Sequence, residues 1–580
     1  MPLRWILLVV AVLGAPVASG HAQSEQVGSL EESKQRAASL TGARREAFLL
    51  ITESPMVKVL PDRASLSGRP GAAVEIAAAR GEVEAGQVVV APLDRGLESV
   101  RFRVSPLVAA DRTALPDDAV RLDVVGYVHT DSAAELAYEV DDAGWFPDPI
   151  LSFLDSFDVE RDRVQSLWLR VRVPLDQPAG VYEGEITISP ANADARSIAV
   201  RVRVFDFALP TARSLPVTIT TFEDRIEAFY GDAWSDELRW RYAEFLLSNR
   251  LNYDNAYRDR EPLPTVEQVR RLVAKGQDAW GLRFIRQPGQ GFSDVGPDSS
   301  VYAAYIDQAV EDARATLPVL REAGAEHLAY IYLFDEVREN HWAMLRRVAE
   351  RLRRELPGVP IMTSAFDREY GHTSGLDEVV DVWVSIIAHF NTPEGRARAE
   401  RARQRGARVV WYTTIWPPRP YPNLFIEYDA IEARLLMGAM AQKYRPDGFG
   451  YWAINWWFST SGQRPLTTGP YTEWNPFLRG SGNGEGSLIY AGADGPITSI
   501  RLENFRDGIE DYEYYQVLAA ALERAAQRGV APVELAAARA LLEVPGEVVS
   551  GLTEFTRDPE VLARHRLAIA EAIEGLYARR

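Results

Sequence analysis

The sequence predicts an α/β fold, a TIM (β/α)8 barrel preceded by an all-β sandwich domain and followed by a C-terminal helical tail. Three observations predict it. Short apolar runs alternate with polar residues between turns over residues 55–212, the period-2 pattern of a β-sandwich. A strand-then-helix rhythm follows over 213–506, which suits parallel strands wrapped by helices. The stretch 507–580 is Ala-rich with helical spacing.

At the N-terminus, Arg4 precedes an apolar run, Trp5 to Leu13, interrupted only by the small Ala11. Small residues then lead to Gly20-His21-Ala22. A run too short to span a bilayer, with a small-residue cleavage site, is the pattern of a signal peptide at 1–22. Cleavage is expected after Ala22; an uncleaved anchor is the alternative. The protein is expected to be exported, periplasmic or secreted. Residues 23–54 are polar and rich in Ala, Glu and Arg, a loose segment or short helix.

In the sandwich region Val88 to Val90, Val100 to Val104, Leu167 to Val173 and Ile198 to Val204 are candidate strands, separated by turns such as Pro178-Ala179-Gly180. Phe207-Ala208-Leu209-Pro210 closes it, and the boundary falls near 212. Eight candidate barrel strands follow: Val217–Thr221, Leu251–Asp254, Leu282–Ile285, Leu328–Phe334, Pro360–Thr363, Val382–Ile386, Val409–Tyr412 and Gly448–Trp452. Amphipathic helices lie between them, among them Ser235–Ser248, Val266–Val273, Val301–Ala323 and His341–Glu355. A doubly wound open sheet is the rival reading, because counting strands does not prove closure. The tail reads as helices Val517–Gln527, Pro532–Leu542 and Pro559–Leu576. The Gly480–Gly486 run reads as a flexible loop; it lacks the lysine and the context of a phosphate cradle.

Composition narrows the function. With 64 basic and 82 acidic residues the formal charge is −18, which disfavours nucleic acid or an anionic membrane as the partner. There is no cysteine, so disulfides, thiol catalysis, thiolate metal sites and a lipoprotein anchor are excluded. The seven histidines show no metal-ligand spacing and no His-Glu-x-x-His occurs, so neither a metal nor another cofactor is expected. Gly-x-Ser-x-Gly is absent too.

The sharpest feature is Leu328-Ala-Tyr-Ile-Tyr-Leu-Phe-Asp335-Glu336, a strand-like run ending in two adjacent carboxylates. Barrel enzymes keep catalytic groups at the C-terminal ends of strands, and glycoside hydrolysis typically needs two carboxyl groups. Neighbouring strand residues point to opposite faces, so both acids serve one site only if strand geometry stops near Phe334. The longer Glu336 is then the general-acid candidate and Asp335 the group nearer the sugar ring. The alternative is a pair of solvated acids at the start of the next helix; the pattern alone does not choose.

Other strand ends favour a sugar cleft. Trp411-Tyr412-Thr413-Thr414-Ile415-Trp416 and Tyr451-Trp452-Ala453-Ile454-Asn455-Trp456-Trp457 place aromatic rings beside polar groups at one mouth. Aromatic faces suit sugar C–H faces, while hydroxyls need polar partners. Tyr332, Tyr412, Trp416, Asn455 and Trp456 are the candidate substrate-binding residues, with His389 at the end of the sixth strand; a packing role for each is the alternative. Glu223-Asp224, after the first strand, read as structural acids, with further cleft acids as the alternative.

Beyond these patterns, the chain resembles the domain of unknown function 4091, related to glycoside hydrolase family 123. In the front domain the resemblance rests on Gly144-Trp145-Phe146-Pro147-Asp148-Pro149, Leu167-Trp168 and Val173 to Gly184. Further on it rests on Phe334-Asp335-Glu336, Trp452-Ala453-Ile454-Asn455-Trp456, Gly484-Glu485-Gly486-Ser487-Leu488-Ile489-Tyr490, Ser499 to Glu503 and Arg506 to Tyr514. Ala491-Gly492 stands where the family usually has Pro-Gly. The resemblance implies a β-N-acetylgalactosaminidase-like, retaining enzyme in which Glu336 is the acid and Asp335 orients the substrate's 2-acetamido group. The expected partner is a glycan carrying β-linked N-acetylhexosamine. The alternatives are a glycosidase acting on a sugar without the acetamido group and a non-catalytic glycan-binding protein.

Overall fold

The computed structural model describes residues 30–41, 46–63, 67–130, 138, 143–259, 261–289, 299–457, 463–478 and 481–578. The expected signal peptide and its cleavage site lie outside them. Within the segment expected to be loose, Leu30–Thr41 is a helix and Phe48–Glu53 is already a strand of the front domain.

That domain consists of two six-stranded sheets. One orders its strands Arg69–Pro70, Phe48–Glu53, Val83–Pro92, Gln165–Arg172, Val120–Thr130 and Gly144–Leu151, all antiparallel. The other runs Val74–Arg80, Arg196–Ala208, Gly180–Ser189, Leu97–Val104 and Ser156–Val159, with Val108–Ala109 added beside Gly180–Ser189. Their inner faces share one core that includes Val88, Val90, Leu167, Leu169, Ile186, Ile188, Val200 and Val202. Arg196–Ala208 shows why alternation announced it, since Ile198, Val200, Val202 and Val204 are buried and the residues between them are not. Val83–Pro92 is buried along its whole length: one face meets the sandwich core, and Ala85 on the other packs with Trp168, Ala430 and Ile500.

The second half is built on a curled, all-parallel sheet of seven strands: β1 (Val217–Ile219), β2 (Trp280–Ile285), β3 (Ala329–Leu333), β4 (Ile361–Thr363), β5 (Val382–Ile386), β6 (Arg408–Tyr412) and β7 (Phe449–Tyr451). The spatial order is β1-β7-β6-β5-β4-β3-β2. The expected strand Leu251–Asp254 is reduced to one bridge, Thr220 to Asp254. Asp254 accounts for the difference. Its backbone oxygen accepts from Thr221 at 2.8 Å, but on the other side its carboxylate, not its backbone, accepts the Gly281 N–H of β2 at 3.0 Å. Several of the intervening helices start on side-chain caps, among them Ser235 for Asp236–Ser248, a Thr265 capping box for Val266–Ala274 and Ser299 for Ser300–Glu322.

The tail differs from its expectation at its start. One helix runs from Ile500 to Gln527, so the motif Arg506 to Tyr514 is helical and the break expected at 506/507 falls inside an element. Residues 500–511 are all buried, and a helix covered on every side loses the amphipathic stripe that marks helices in sequence. Its charges are paired. Arg506 contacts Glu503 at 2.6 Å and Asp507 at 2.5 Å, while Asp511 holds Arg434 at 2.7 Å, which also reaches Glu84 of the sandwich at 2.5 Å. This network ties the helix to both larger units.

Candidate active site

The two acids sit where β3 stops being a strand. Phe334 continues the ladder by one bond, its N–H donating to Ile285 O at 2.9 Å, but its φ is 57° and that of Glu336 is 51°. Left-handed φ at bulky non-glycine residues is costly and persists only where surroundings enforce it. Here they do: Phe334 is fully buried, its carbonyl accepts from Thr363 Oγ1 at 3.2 Å, and the Glu336 N–H donates to Ser364 Oγ at 2.8 Å. The break in strand geometry expected at Phe334 is present, and it releases Asp335 and Glu336 from opposite-face alternation.

The pair is unequally supported. Asp335 Oδ1 accepts from Tyr332 Oη at 2.6 Å and Ser364 Oγ at 2.8 Å, while Tyr257 Oη reaches Oδ2 at 3.4 Å. Gln287 brackets the same residue, its Oε1 accepting from Asp335 N at 3.2 Å and its Nε2 donating to Asp335 O at 2.9 Å. Glu336 has one side-chain donor among the described residues, Tyr412 Oη at 2.6 Å to Oε1. Burial pushes the Asp335 carboxyl up, against the three hydroxyls that pull it down. For Glu336, crowding by protein and then the charge of Asp335 raise the pKa, opposed by Tyr412 and Arg338. Glu336 is nonetheless open to solvent, as a proton donor to an incoming ligand has to be. Burial and the adjacent carboxylates hold the Tyr257, Tyr332 and Tyr412 hydroxyls well above the usual tyrosine range, so they remain donors. The charge is best accommodated on Asp335 and the proton on Glu336.

Of the residues singled out in sequence, Tyr332, Asp335, Glu336 and Tyr412 form this one network. Trp456 stands in an aromatic cluster, 5.1 Å from Trp452 and 5.1 Å from Phe222 between ring centres, with Arg225 3.7 Å from its own ring centre. Phe222 in turn stacks at 6.2 Å on Tyr257, which links the cluster to Asp335. Trp416, 52% exposed, offers an open ring in the loop after β6. Asn455 does not face the cleft: it is fully buried, and its Oδ1 and Nδ2 pair with Phe222 N and O, both at 2.9 Å. It ties the loop after β1 to the loop after β7. His389 is also apart from the pair. Its Nδ1 lies 3.0 Å from Ser385 Oγ, no hydrogen bond joins it to Asp335 or Glu336 among the described residues, and burial lowers its pKa to about 4. Glu223 has the structural role expected, held by Arg239 at 2.8 Å and by Tyr253. A cavity of about 520 Å³ lined in part by Pro216, Arg408 and Asp447 opens at the N-terminal ends of the strands, the face opposite the carboxylates.

Residues 286–518 match the family described as glycoside hydrolase 123, catalytic domain, and residues 65–190 match the glycoside hydrolase 123 N-terminal domain. The chain is a glycoside hydrolase related to family 123. Among solved structures, a family 123 glycoside hydrolase from Clostridium perfringens, studied for glycolipid glycan hydrolysis, is 14% identical over 92% of this chain and 98% of its own, with a TM-score of 0.65. That likeness supports the barrel-plus-sandwich architecture. A family 39 glycoside hydrolase from Bacteroides cellulosilyticus (11% identity, 71% of this chain, 83% of its own, TM-score 0.33) and a family 5 xyloglucanase from Bacteroides ovatus (9%, 76%, 98%, 0.29) are more distant. No curated protein matches the sequence. The glycosidase match over 286–518 includes Asp335, Glu336, Tyr412, the Gly484–Tyr490 segment and the buried first half of the tail helix.

Several residues of the site carried no sequence signal. Ser364, Tyr257 and Gln287 reach the pair from three different segments, and only the Tyr-x-x-Asp spacing of Tyr332 and Asp335 lay within one. Glu485 lies in the Gly484–Tyr490 motif, which by itself assigns it no role.

Proposed function

We propose that this glycoside hydrolase removes β-linked N-acetylhexosamine, N-acetylgalactosamine in preference, from glycans by a retaining, substrate-assisted mechanism. The observation that carries the reading is the unequal support of the adjacent acids: several donors on Asp335, one on the solvent-open Glu336. Glu336 protonates the glycosidic oxygen while the acetamido carbonyl oxygen attacks the anomeric carbon. Asp335, its Oδ1 saturated, presents Oδ2 to the acetamido N–H and stabilises the positive charge of the oxazolinium ion. Glu336, now a carboxylate, takes a proton from water as that water opens the ring, and configuration is retained. Trp416 and Trp456 supply ring faces to the glycan. In this reading Leu251–Asp254 occupies the place between β1 and β2 and completes an eight-membered barrel. We also propose export after cleavage at Ala22; N-terminal sequencing of the mature protein should begin at Gln23.

The test is a panel of aryl β-glycosides with and without the 2-acetamido group, run on wild type, Glu336→Gln and Asp335→Asn. Acetamido-selective turnover lost in both variants supports the scheme. Turnover of non-acetamido sugars alone would make Asp335 a nucleophile or charge stabiliser, and glycan binding without turnover by wild type would leave a lectin-like protein.

A further inference from the structure

Glu485 is a third carboxyl group near the pair, and nothing in the scheme above uses it. Its side chain is only 2% exposed. Oε1 accepts from Trp452 Nε1 at 2.5 Å, and Oε2 has no partner among the described residues. The backbone around it is fastened. Gly484 and Gly486 have φ of 79° and 64°, and a Cβ on Gly486 would stand 2.3 Å from the Trp452 ring, so glycine is required on both steric and conformational grounds. Arg501 donates to Gly484 O at 2.9 Å and Ser487 O at 2.6 Å, and is itself anchored at 2.8 Å to Asp148 of the sandwich. Gly486 N donates to Tyr451 Oη at 3.1 Å, and Gly486 O accepts from Trp456 N at 2.8 Å. The Gly-rich run expected to be a flexible loop is, in its described part, buried and held from both domains.

We infer that Glu485 is a positioning residue of the sugar site, fixing the Trp452 indole as a wall beside Trp456 and the acid Glu336. The inference rests on the glycosidase reading of Glu336. Trp452 directly follows β7 and is half-buried, so it has surface left for a ligand. The indole N–H needs an acceptor that does not itself move, and the Arg501 clamp supplies the rigidity.

The charge state matters as much as the contact. The groups acting on Glu485 are the Trp452 N–H and Arg501, which favour its anion, and Glu336, which opposes it, with the Tyr451 hydroxyl close by. Burial outweighs them and pushes Glu485 up to about 8, which favours the neutral acid at neutral pH. A buried carboxylate with an unpartnered oxygen is costly, and the neutral acid lowers that cost by leaving an uncharged hydroxyl in place of a charge. It also spares Glu336 a second negative neighbour, which would raise the pKa of the acid further.

Glu485→Gln copies the neutral acid in shape and keeps an oxygen for Trp452, whereas Glu485→Ala removes the acceptor. On a substrate that wild type cleaves and Glu336→Gln does not, Glu485→Gln is expected to keep kcat and KM within about threefold, with the alkaline limb of kcat/KM unmoved. Glu485→Ala is expected to raise KM about tenfold with a smaller change in kcat. A glutamine variant as impaired as the alanine variant, or an alkaline limb displaced downward by about a unit in Glu485→Gln, would show that a carboxylate is required and overturn the inference. So would an unchanged KM in Glu485→Ala. A second readout needs no turnover: intrinsic tryptophan fluorescence should change with a midpoint near pH 8 in wild type, but not in Glu485→Gln or Trp452→Phe. Loss of that transition in both variants with no activity in wild type would reject the glycosidase scheme while sustaining the Glu485–Trp452 pairing. Its absence from wild type would reject the raised pKa of Glu485, and the KM of Glu485→Ala then decides the pairing.

Discussion

Tyr412→Phe probes the link between structure and pH dependence most directly. Tyr412 Oη donates to Glu336 Oε1 at 2.6 Å and is, among the described residues, the one side-chain donor on that acid. A hydrogen bond to a charged group contributes about 1.5–3 kcal/mol when shielded. Glu336 is open to solvent, so a value below that range, about 1 kcal/mol, is appropriate for how much more the bond favours the carboxylate than the acid. At about 1.4 kcal/mol per unit this corresponds to roughly 0.7 pKa units. The sign follows from the bond: it lowers the Glu336 pKa, so its removal raises that pKa and Glu336 keeps its proton to higher pH. The alkaline limb of kcat/KM should therefore move up by about half to one unit, with little loss of thermal stability because the ring remains. The assay is a pH series of kcat/KM on an aryl glycoside, wild type beside Tyr412→Phe. An alkaline limb that stays in place or moves down would refute the assignment of Glu336 as the protonated acid.

Other perturbations act on different parts of the molecule. Ser364→Ala removes a donor to Asp335 and the acceptor of the Glu336 N–H; kcat should fall about tenfold or more with a modest drop in Tm, and unchanged kcat would show that the turn holds its shape without Ser364. Arg434→Met leaves the buried Glu84 and Asp511 with Arg566 as their remaining cation and should cost about 3 kcal/mol in denaturant unfolding, the lower end for a broken buried pair; substituting Glu84→Gln and Asp511→Asn as well should recover part of that loss. Glu432 is buried and raised to about 7, chiefly by desolvation. A carboxyl whose folded pKa exceeds its unfolded one contributes stability below the unfolded value that is lost as pH rises through the folded one. Wild type should therefore lose more Tm than Glu432→Gln between about pH 4.5 and 7, and parallel Tm curves would contradict the burial argument.

How far the sequence carried the reading depends on which physical signal each element left. Arg196–Ala208 has one face in a core and one in solvent, so its alternation survives in sequence and the sandwich was legible. The strand positions of β1 to β7 were legible to within a few residues for a similar reason, being short apolar runs between helices. Leu251–Asp254 reads as a strand because its composition is that of one, but nothing local discloses that the Asp254 carboxylate takes over a ladder bond. The start of the tail helix at Ile500 was hidden for the opposite reason. Its first three turns are buried on all sides with their charges paired internally, so neither periodicity nor polarity marks them as helical.

The same distinction applies within the site. Asp335 and Glu336 were legible because a strand that ends in two acids is unusual in itself, and Tyr332 lies in the same strand. Ser364, Tyr257 and Gln287 are ordinary residues whose importance comes only from convergence across β2, β4 and the loop before β2. Asn455 shows the reverse failure: a polar residue among tryptophans suggested a ligand contact, yet both of its polar atoms are used on Phe222. The Gly484-Glu485-Gly486 segment combines the two. Its glycines are explained by the close approach of Trp452 and Arg501, and Asp148 of the sandwich is explained by Arg501. A motif in the front domain and a motif near the tail are thus two ends of one clamp, and what the clamp holds still is a carboxyl group behind the aromatic wall of the active site.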